Sequence, residues 1–330
     1  MKALVYTGTE QVTYREEPEP RLADGEVLIR IDAVGICGSD MHAYHGHDPR
    51  RVPPLVLGHE LAGVILAGPG KGRRVTVNPL ITCGHCEYCV QGRNNLCANR
   101  SMIGMTRPGG FAELMSTAAS SVIDIPQDMP ARAAALTEPA ATALHALNLS
   151  MRAMLRPPAE CRVLVLGAGA IGLLTALLLC DYGCRDLRIA ETNSLRRASA
   201  ANAGSFATYD PLHESGPAES SMDLVIDAVG SAATRNSAFA AAKPGSVIMH
   251  IGLADWVSEI DMRKLTLAEI TLLGTYTYST ADLRATVAAL HRGAFGDLAW
   301  VEERPLAEGA RAFADLHAGR SAAAKIVLRP

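Results

Sequence analysis

Four of the chain's eight cysteines fall within fifteen residues, in the segment "CGHCEYCVQGRNNLC". They are Cys83, Cys86, Cys89 and Cys97, with the spacing C-x2-C-x2-C-x7-C. Two-residue gaps let neighbouring sulfurs converge on one ion, and four thiolates around a tetrahedral ion form a closed structural zinc site. An iron–sulfur cluster uses similar cysteine runs, and a set of disulfides is a more distant alternative. Because a closed site has no free coordination position, we predict that this metal is structural and that the chemistry lies elsewhere.

A second set of metal-binding residue types lies in "VGICGSDMHAYHG" and "LVLGHELAG". A catalytic zinc keeps three protein ligands and one exchangeable position. Cys37 and His59 suit that ion, and a carboxylate is a suitable third ligand. Taken alone, each has an ordinary explanation, because isolated cysteines are usually buried and isolated histidines are usually hydrogen-bonded. The candidate side chains in these two segments are Cys37, Ser39, Asp40, His42, His59 and Glu60.

A glycine-rich turn follows later in the chain, where "GAGAIG" places Gly167, Gly169 and Gly172 in the spacing G-x-G-x-x-G. It directly follows the predicted strand "CRVLVL" and opens the predicted helix "AIGLLTALLL". Such glycines let the backbone approach a pyrophosphate, and the helix N-terminus offers unpaired N–H groups to it. Glu191 ends the next strand-like run, where an acid binds the ribose hydroxyls. We therefore predict a site for NAD; Arg196 could reach an adenosine phosphate, so NADP remains open.

The elements around these residues predict an α/β protein with two domains. Strand-like and helix-like runs alternate from about residue 160 to 275, which indicates a doubly wound parallel sheet. We predict that residues 146–277 form this dinucleotide-binding Rossmann domain. Residues 1–145 and 278–330 would form a β-rich catalytic domain, with the active site in the cleft between the two, where ligand sites often occur.

The composition of the chain limits the classes of partner that it can bind. Hydrophobic residues make up 48% of the chain, charged residues 20%, and the net charge is −3 without blocks of like charge. We therefore expect neither a nucleic-acid nor a membrane partner. Residues 163–180 lack charge, but they divide into a strand, a turn and a helix rather than one membrane span. Without a leader segment, the expected compartment is the cytoplasm, where clustered cysteines favour metal ligation.

The motifs together resemble the zinc-containing medium-chain alcohol dehydrogenases, on the polyol (sorbitol) and threonine dehydrogenase branch. The matching segments occur in order along nearly the whole chain: "GICGSDMH", "GHELAG", "CGHCEYCVQGRNNLC", "GGFAEL", "LTEPAATALHAL", "VLVLGAGAIG" and "VIDAVG". The resemblance implies a GroES-like catalytic domain, two zinc ions per chain, and a homodimer or homotetramer. It also implies hydride transfer between a secondary alcohol, such as a polyol or sugar derivative, and a nicotinamide cofactor.

The resemblance assigns the catalytic zinc to Cys37, His59 and Glu138, with Glu60 beside the ion as an exchangeable ligand. Asp40 would accept a hydrogen bond from the zinc-binding histidine and fix its orientation. The four-cysteine segment would hold the structural zinc.

The resemblance also implies a route for the alcohol proton. Ser39 and His42 would carry it outwards, because serine both accepts and donates and histidine accepts a proton near neutral pH. Thr142 and Ile171 would pack against the nicotinamide ring.

Two other classes of function remain open on the sequence. One is a zinc-free reductase of quinones or enones on the same fold, which would not need Cys37, His59 and Glu138 together. The other is a non-enzymatic zinc-ribbon protein in which the four-cysteine segment binds a partner. One zinc ion per chain would favour the interaction protein, and two would favour the dehydrogenase.

Overall fold

The structure, a computed structural model, describes residues 1–330 and contains ten α-helices and eighteen β-strands. The helices are α1 (Gly38–Tyr44), α2 (Glu87–Val90), α3 (Ala131–Ala135), α4 (Thr137–Ala153), α5 (Ala170–Asp181), α6 (Ser194–Ala203), α7 (Ala232–Ala241), α8 (Met262–Leu267), α9 (Thr280–His291) and α10 (Gly309–His317). The strands are β1 (Lys2–Gly8), β2 (Gln11–Glu16), β3 (Glu26–Gly35), β4 (Leu55–Val56), β5 (Glu60–Ala67), β6 (Arg74–Val77), β7 (Leu80–Ile81), β8 (Ser101–Met102), β9 (Leu114–Ala118), β10 (Val122–Asp124), β11 (Arg162–Leu166), β12 (Asp186–Ala190), β13 (Ala207–Tyr209), β14 (Met222–Asp227), β15 (Ala242–His250), β16 (Thr271–Gly274), β17 (Val301–Pro305) and β18 (Lys325–Arg329).

The β-rich part is built on a seven-stranded sheet in the order β10-β6-β5-β3-β18-β17, with β9 also paired to β3. Alternate residues of β3, such as Val27, Ile29 and Ile31, are buried because successive side chains of a strand point to opposite faces. The last two strands of the chain return to this sheet, where β18 lies beside β3. The C-terminal segment thereby reaches the residues that follow β3.

The other large sheet has six parallel strands in the order β13-β12-β11-β14-β15-β16. The first strand of this region lies in the middle, and helices alternate with the strands, which is the doubly wound arrangement that binds dinucleotides. The predicted parallel sheet is thus confirmed. The uncharged stretch of residues 163–180 divides into β11, a glycine turn and α5, as the sequence indicated. None of the ten helices combines the length and the apolar character needed to span a bilayer.

Helix α4 connects the two regions. It packs against α5 and α9, and its buried residues belong to the same hydrophobic core as Val163 of β11 and Val327 of β18. The predicted division after residue 145 falls inside this helix, whereas the division after residue 277 falls in the connection between β16 and α9. The exact residue boundaries of the two domains therefore stay a prediction.

Candidate active site and cofactor cleft

A short helix positions three of the predicted site residues. Cys37 caps the N-terminus of α1: its Sγ accepts the Ser39 N–H at 3.4 Å, and its own N–H donates to Asp40 Oδ2 at 3.0 Å. This reciprocal pairing satisfies backbone N–H groups that the first helical turn leaves free. As a result Cys37, Ser39 and Asp40 share one turn, with His42 one further turn along the same helix.

Sheet register brings His59 and Glu60 to this turn. Strands β3 and β5 are antiparallel with Gly35 opposite Glu60, so the residues after β3 lie beside those at the start of β5. A side chain at Gly35 would collide with the Glu60 carboxylate, which explains the glycine. One ligand atom each from Cys37, His59 and Glu60 lie within 4.8 Å of one another. His59 and Glu60 are buried and Cys37 is half-buried, so most of the group lies below the protein surface.

The orientation of His59 fits a metal ligand. Its Nδ1 lies 3.6 Å from Asp40 Oδ1, and its Nε2 lies 3.5 Å from Ser39 Oγ. Both Nδ1 and Asp40 Oδ1 are buried without a hydrogen-bond partner within bonding distance. Burial lowers the pKa of His59, but the charges of Asp40 and Cys37 outweigh it and raise the pKa to about 10. This anionic surrounding, with one sulfur, one nitrogen and one oxygen donor, suits Zn²⁺.

Glu138 lies beside this group rather than within it. Its Oε1 accepts a hydrogen bond of 2.8 Å from the hydroxyl of Tyr278, and both side chains are buried. Burial raises the pKa of Glu138 to about 7, opposed by the nearby His59. The three side chains with converging ligand atoms therefore include Glu60 and not Glu138.

Sequence reasoning missed three charged or polar partners of this site, Lys325, Tyr278 and Arg51. The Lys325 Nζ binds both carboxylate oxygens of Glu60 at 2.7 Å and the Ile36 carbonyl at 2.8 Å. Burial disfavours its charge, but Glu60 outweighs that effect and raises the pKa of Lys325. A lone lysine at the start of the apolar run "KIVL" was a usable signal, whereas the sequence around Arg51 contains none.

The four predicted cysteines form one group whose sulfurs converge. The Sγ atoms of Cys83 and Cys89 are 3.9 Å apart, and those of Cys83 and Cys97 are 3.6 Å apart. A tetrahedral zinc with bonds of about 2.3 Å places its sulfurs roughly 3.8 Å apart, so the group fits a zinc ion. Cys97 is fully buried and the others are half-buried.

A cleft of about 240 Å³ runs from the predicted metal ligands to the glycine turn. Gly167 has a φ of +97°, and any side chain on Gly172 would overlap the Gly167 carbonyl, so the turn requires both glycines. Thr142, expected near the nicotinamide, is half-buried on α4 and does not border this cavity. The site residues that border it are Cys37, Glu60, Gly169, Ile171, Gly172 and Arg196.

Glu191 is fixed at the end of β12 by three hydrogen bonds. Its carboxylate accepts the N–H groups of Ala168 at 2.9 Å and Asn193 at 2.8 Å, and the Arg196 guanidinium at 3.0 Å. Burial works against its ionisation, but Arg196 and the backbone N–H groups outweigh that effect and lower the pKa of Glu191. The structure thus places an ionised carboxylate and a cation side by side at this edge of the sheet.

Comparison with known proteins places this architecture in a family. Residues 23–127 match the alcohol dehydrogenase GroES-like domain, and residues 170–292 match the zinc-binding dehydrogenase domain. L-galactonate-5-dehydrogenase of Escherichia coli K12 is 31% identical, over 92% of this chain and 95% of its own length.

Solved structures agree along the whole chain. The alcohol dehydrogenase RspB of E. coli CFT073, complexed with NADH, superposes with a TM-score of 0.89 at 25% identity over 100% of this chain and 99% of its own. A zinc-binding dehydrogenase of Sinorhizobium meliloti 1021, bound to NADP, gives 0.88 at 29% identity over 100% and 99%.

A GroES-like domain joined to a Rossmann sheet, with one zinc-type ligand group at the cleft and another made of four cysteines, defines a zinc-dependent oxidoreductase. The chain belongs to the zinc-type medium-chain alcohol dehydrogenases, on the polyol and threonine dehydrogenase branch. It is an alcohol dehydrogenase that uses zinc and NAD(P).

Proposed function

We propose that this enzyme interconverts a secondary alcohol and a ketone on a polyol, a sugar acid or a similar polyhydroxylated molecule. The observation that carries the proposal is the convergence of Cys37, His59 and Glu60 at the cleft that also contains Ile171 and the glycine turn. A zinc ion held by these three residues would lie next to a nicotinamide bound in the same cleft, so the Lewis acid and the hydride acceptor would be neighbours. The relative that acts on L-galactonate supports this substrate class.

We assign each site residue a separate role in catalysis. Cys37, His59 and Glu60 would hold the catalytic zinc, with Glu138 beside it. Zinc bound there supplies a Lewis acid that makes an alcohol hydroxyl more acidic, and the bound nicotinamide accepts the hydride. Asp40 would orient the His59 ring, since its Oδ1 lies 3.6 Å from His59 Nδ1.

Ser39 and His42 would pass the alcohol proton to solvent. Ser39 Oγ accepts the proton of the bound alcohol and releases its own. Burial, His47 and Arg51 lower the pKa of His42, so its ring is neutral near pH 7 and able to accept that proton. Ile171, which borders the cleft, would confine the nicotinamide ring.

A spectrophotometric screen tests the function. Purified holoenzyme would be assayed with polyols, sugar acids and simple secondary alcohols, each with NAD and with NADP, following absorbance of the reduced nicotinamide. We expect at least one polyhydroxylated substrate to be oxidised with reduction of the nicotinamide cofactor, and we expect weaker activity with simple alcohols. Reduction of quinones or enones, with no oxidation of any secondary alcohol, would favour the zinc-free type of chemistry and contradict the proposal.

We expect a preference for NAD over NADP. The ionised Glu191 can accept ribose hydroxyls but repels a 2′-phosphate, while Arg196 is already paired with it. Glu191→Ala should therefore reduce the ratio of kcat/KM for NAD over NADP by at least about tenfold, the factor that corresponds to one weak charged contact. Arg152→Ala, on α4, serves as the surface control. An unchanged ratio in Glu191→Ala would argue against the ribose role of Glu191.

We propose that the enzyme is a homodimer formed through the β16 edge of the parallel sheet. This edge strand lies at the end of the sheet, and Trp256 and Val257 near it are 94% and 88% exposed. Trp256→Glu should shift sedimentation from dimer to monomer, and Leu212→Glu, also exposed but located just after β13 at the opposite edge of the sheet, should not. A wild-type monomer at micromolar concentration would rule out the proposal.

The proposed compartment is the cytoplasm. All eight cysteines are free thiols, and the group of four needs reduced sulfurs to bind metal. Fractionation of producing cells against a periplasmic marker is the check, and recovery of the protein with that marker would contradict it.

A further inference from the structure

We propose that Arg51 is a positioning residue that holds the Ser39 hydroxyl in the orientation needed for proton transfer. This inference rests on the proposed function, because it assigns Arg51 a role only if Ser39 carries the alcohol proton. Arg51 lies in the loop after α1, and its whole side chain is buried.

The guanidinium of Arg51 holds Ser39 at two points. Nη1 donates to the Ser39 carbonyl at 3.0 Å, and Nη2 donates to Ser39 Oγ at 3.0 Å. Nε donates to the Gly104 carbonyl at 3.0 Å, which fixes the plane of the guanidinium. The two bonds from one rigid, planar group to the backbone and the hydroxyl of the same residue set the Ser39 side-chain torsion.

Charge at this position is balanced within the protein. Nη1 also pairs with Asp48 Oδ2 at 2.6 Å, and Nη2 lies 3.8 Å from Asp40 Oδ1. Both carboxylates are buried or nearly so. Because arginine does not lose its proton in proteins, Arg51 can only donate to Ser39 and never competes with it for the alcohol proton.

The bonding capacity of a hydroxyl then gives the direction of transfer. Ser39 Oγ has one proton to donate and two lone pairs that accept. Arg51 occupies one lone pair, which leaves a single lone pair for the alcohol and directs the serine's own proton away from Arg51. When the alcohol proton arrives at Oγ, the original proton leaves for the next acceptor, so each transfer moves one proton and leaves Ser39 neutral.

A buried arginine also has structural effects, and these are separable. The contacts with Gly104 and Asp48 hold the loop whether or not Ser39 has a hydroxyl. Only the Nη2–Oγ contact depends on it. A double-mutant cycle between Arg51→Met and Ser39→Ala therefore isolates the positioning role, because independent effects multiply and coupled effects do not.

The experiment measures kcat, KM and zinc content for wild type, Arg51→Met, Ser39→Ala and the double variant, all as holoenzyme. We expect Arg51→Met to lower kcat by about 10- to 100-fold, within the range of general acid–base contributions, with KM changed by less than about threefold. In the Ser39→Ala background the same change should lower kcat by less than about threefold. Arg50→Met is the matched control, since Arg50 is the exposed neighbour that pairs with the same Asp48.

Stability gives a second readout that does not depend on turnover. In the holoenzyme, the thermal shifts of Arg51→Met and Ser39→Ala should sum to more than the shift of the double variant, because both single changes remove the same hydrogen bond. If Arg51→Met does not fold, Arg51→Lys replaces it in both cycles, since lysine keeps the charge near Asp48 but cannot bind Ser39 at two points.

The outcomes separate this inference from the function beneath it. Suppose that Ser39→Ala slows turnover and that Arg51→Met lowers kcat by the same factor in wild type and in Ser39→Ala. Arg51 then has no positioning role, and the proton route stands. If Ser39→Ala leaves kcat unchanged, the proton route itself fails and the role of Arg51 fails with it. A loss of zinc in Arg51→Met with normal turnover per bound zinc would also overturn the inference, because the residue would then act on the metal site.

Discussion

Replacing Glu60 with Gln should lower the zinc content from about two ions per chain to about one, because a three-ligand site loses its carboxylate. Turnover with alcohol should fall by roughly 10³-fold or more, since the hydroxyl loses its Lewis acid. The warrant is the convergence of Cys37, His59 and Glu60 within 4.8 Å. Metal analysis and steady-state kinetics on the same preparation provide the measurement. Glutamine keeps one oxygen for Lys325, so the buried lysine retains an acceptor and folding is expected to survive.

Glu138→Gln is the matched control. Glu138 is also buried, but its Oε1 accepts from Tyr278 and the residue is not part of the group whose ligand atoms converge within 4.8 Å. This variant should keep both zinc ions and lose less activity. The reverse result is that Glu138→Gln loses a zinc ion and Glu60→Gln does not. It would show that Glu138 is the third ligand, as the family resemblance implied, and it would contradict Cys37, His59 and Glu60 as the ligand set.

Cys97→Ser should remove the other zinc ion and destabilise the fold far more than it affects the chemical step. We expect the thermal midpoint to fall by about 10 °C or more, because structural zinc sites contribute well over a few kcal/mol and each kcal/mol is worth about 2–4 °C in domains of this size. The fraction that remains folded should retain kcat within about threefold. Scanning fluorimetry, metal analysis and active-site titration measure the three quantities.

The position of the four-cysteine group explains this expectation. Asn94 donates to Thr280 Oγ1 at 3.0 Å, and Asn95 donates to the Tyr276 carbonyl at 2.8 Å, so the segment between the second and fourth cysteines fixes the connection between β16 and α9. Cys180→Ser, a half-buried cysteine outside both metal groups, is the control and should shift the midpoint by only a few degrees. Full stability of Cys97→Ser with two bound zinc ions would show that the cysteines do not hold a structural metal.

The features that the sequence determined are those whose physical cause is local. The spacing of four cysteines from Cys83 to Cys97 lets their sulfurs meet without any distant segment. The turn from Gly167 to Gly172 depends on positive φ and on close backbone approach within six residues, and it lies between a strand and a helix that periodicity also predicts. Strands alternating with helices specify a parallel sheet, because parallel strands need long crossover connections. Fold class, cofactor class and the four-cysteine group were therefore accessible from the chain alone.

Other features depend on which distant segments meet, and only the tertiary structure decided them. The register of β3 against β5 put Glu60 with Cys37 and His59, whereas the placement of α4 against the segment after β16 gave Glu138 to Tyr278. The return of β18 to the first sheet delivered Lys325 to Glu60 across 265 residues of sequence. Judged by residue type alone, Glu60, which follows His59, and Glu138, which lies on α4, are equally good zinc ligands. The choice between them is a matter of distance, and distance is set by packing and register, which residue types and local spacing do not contain.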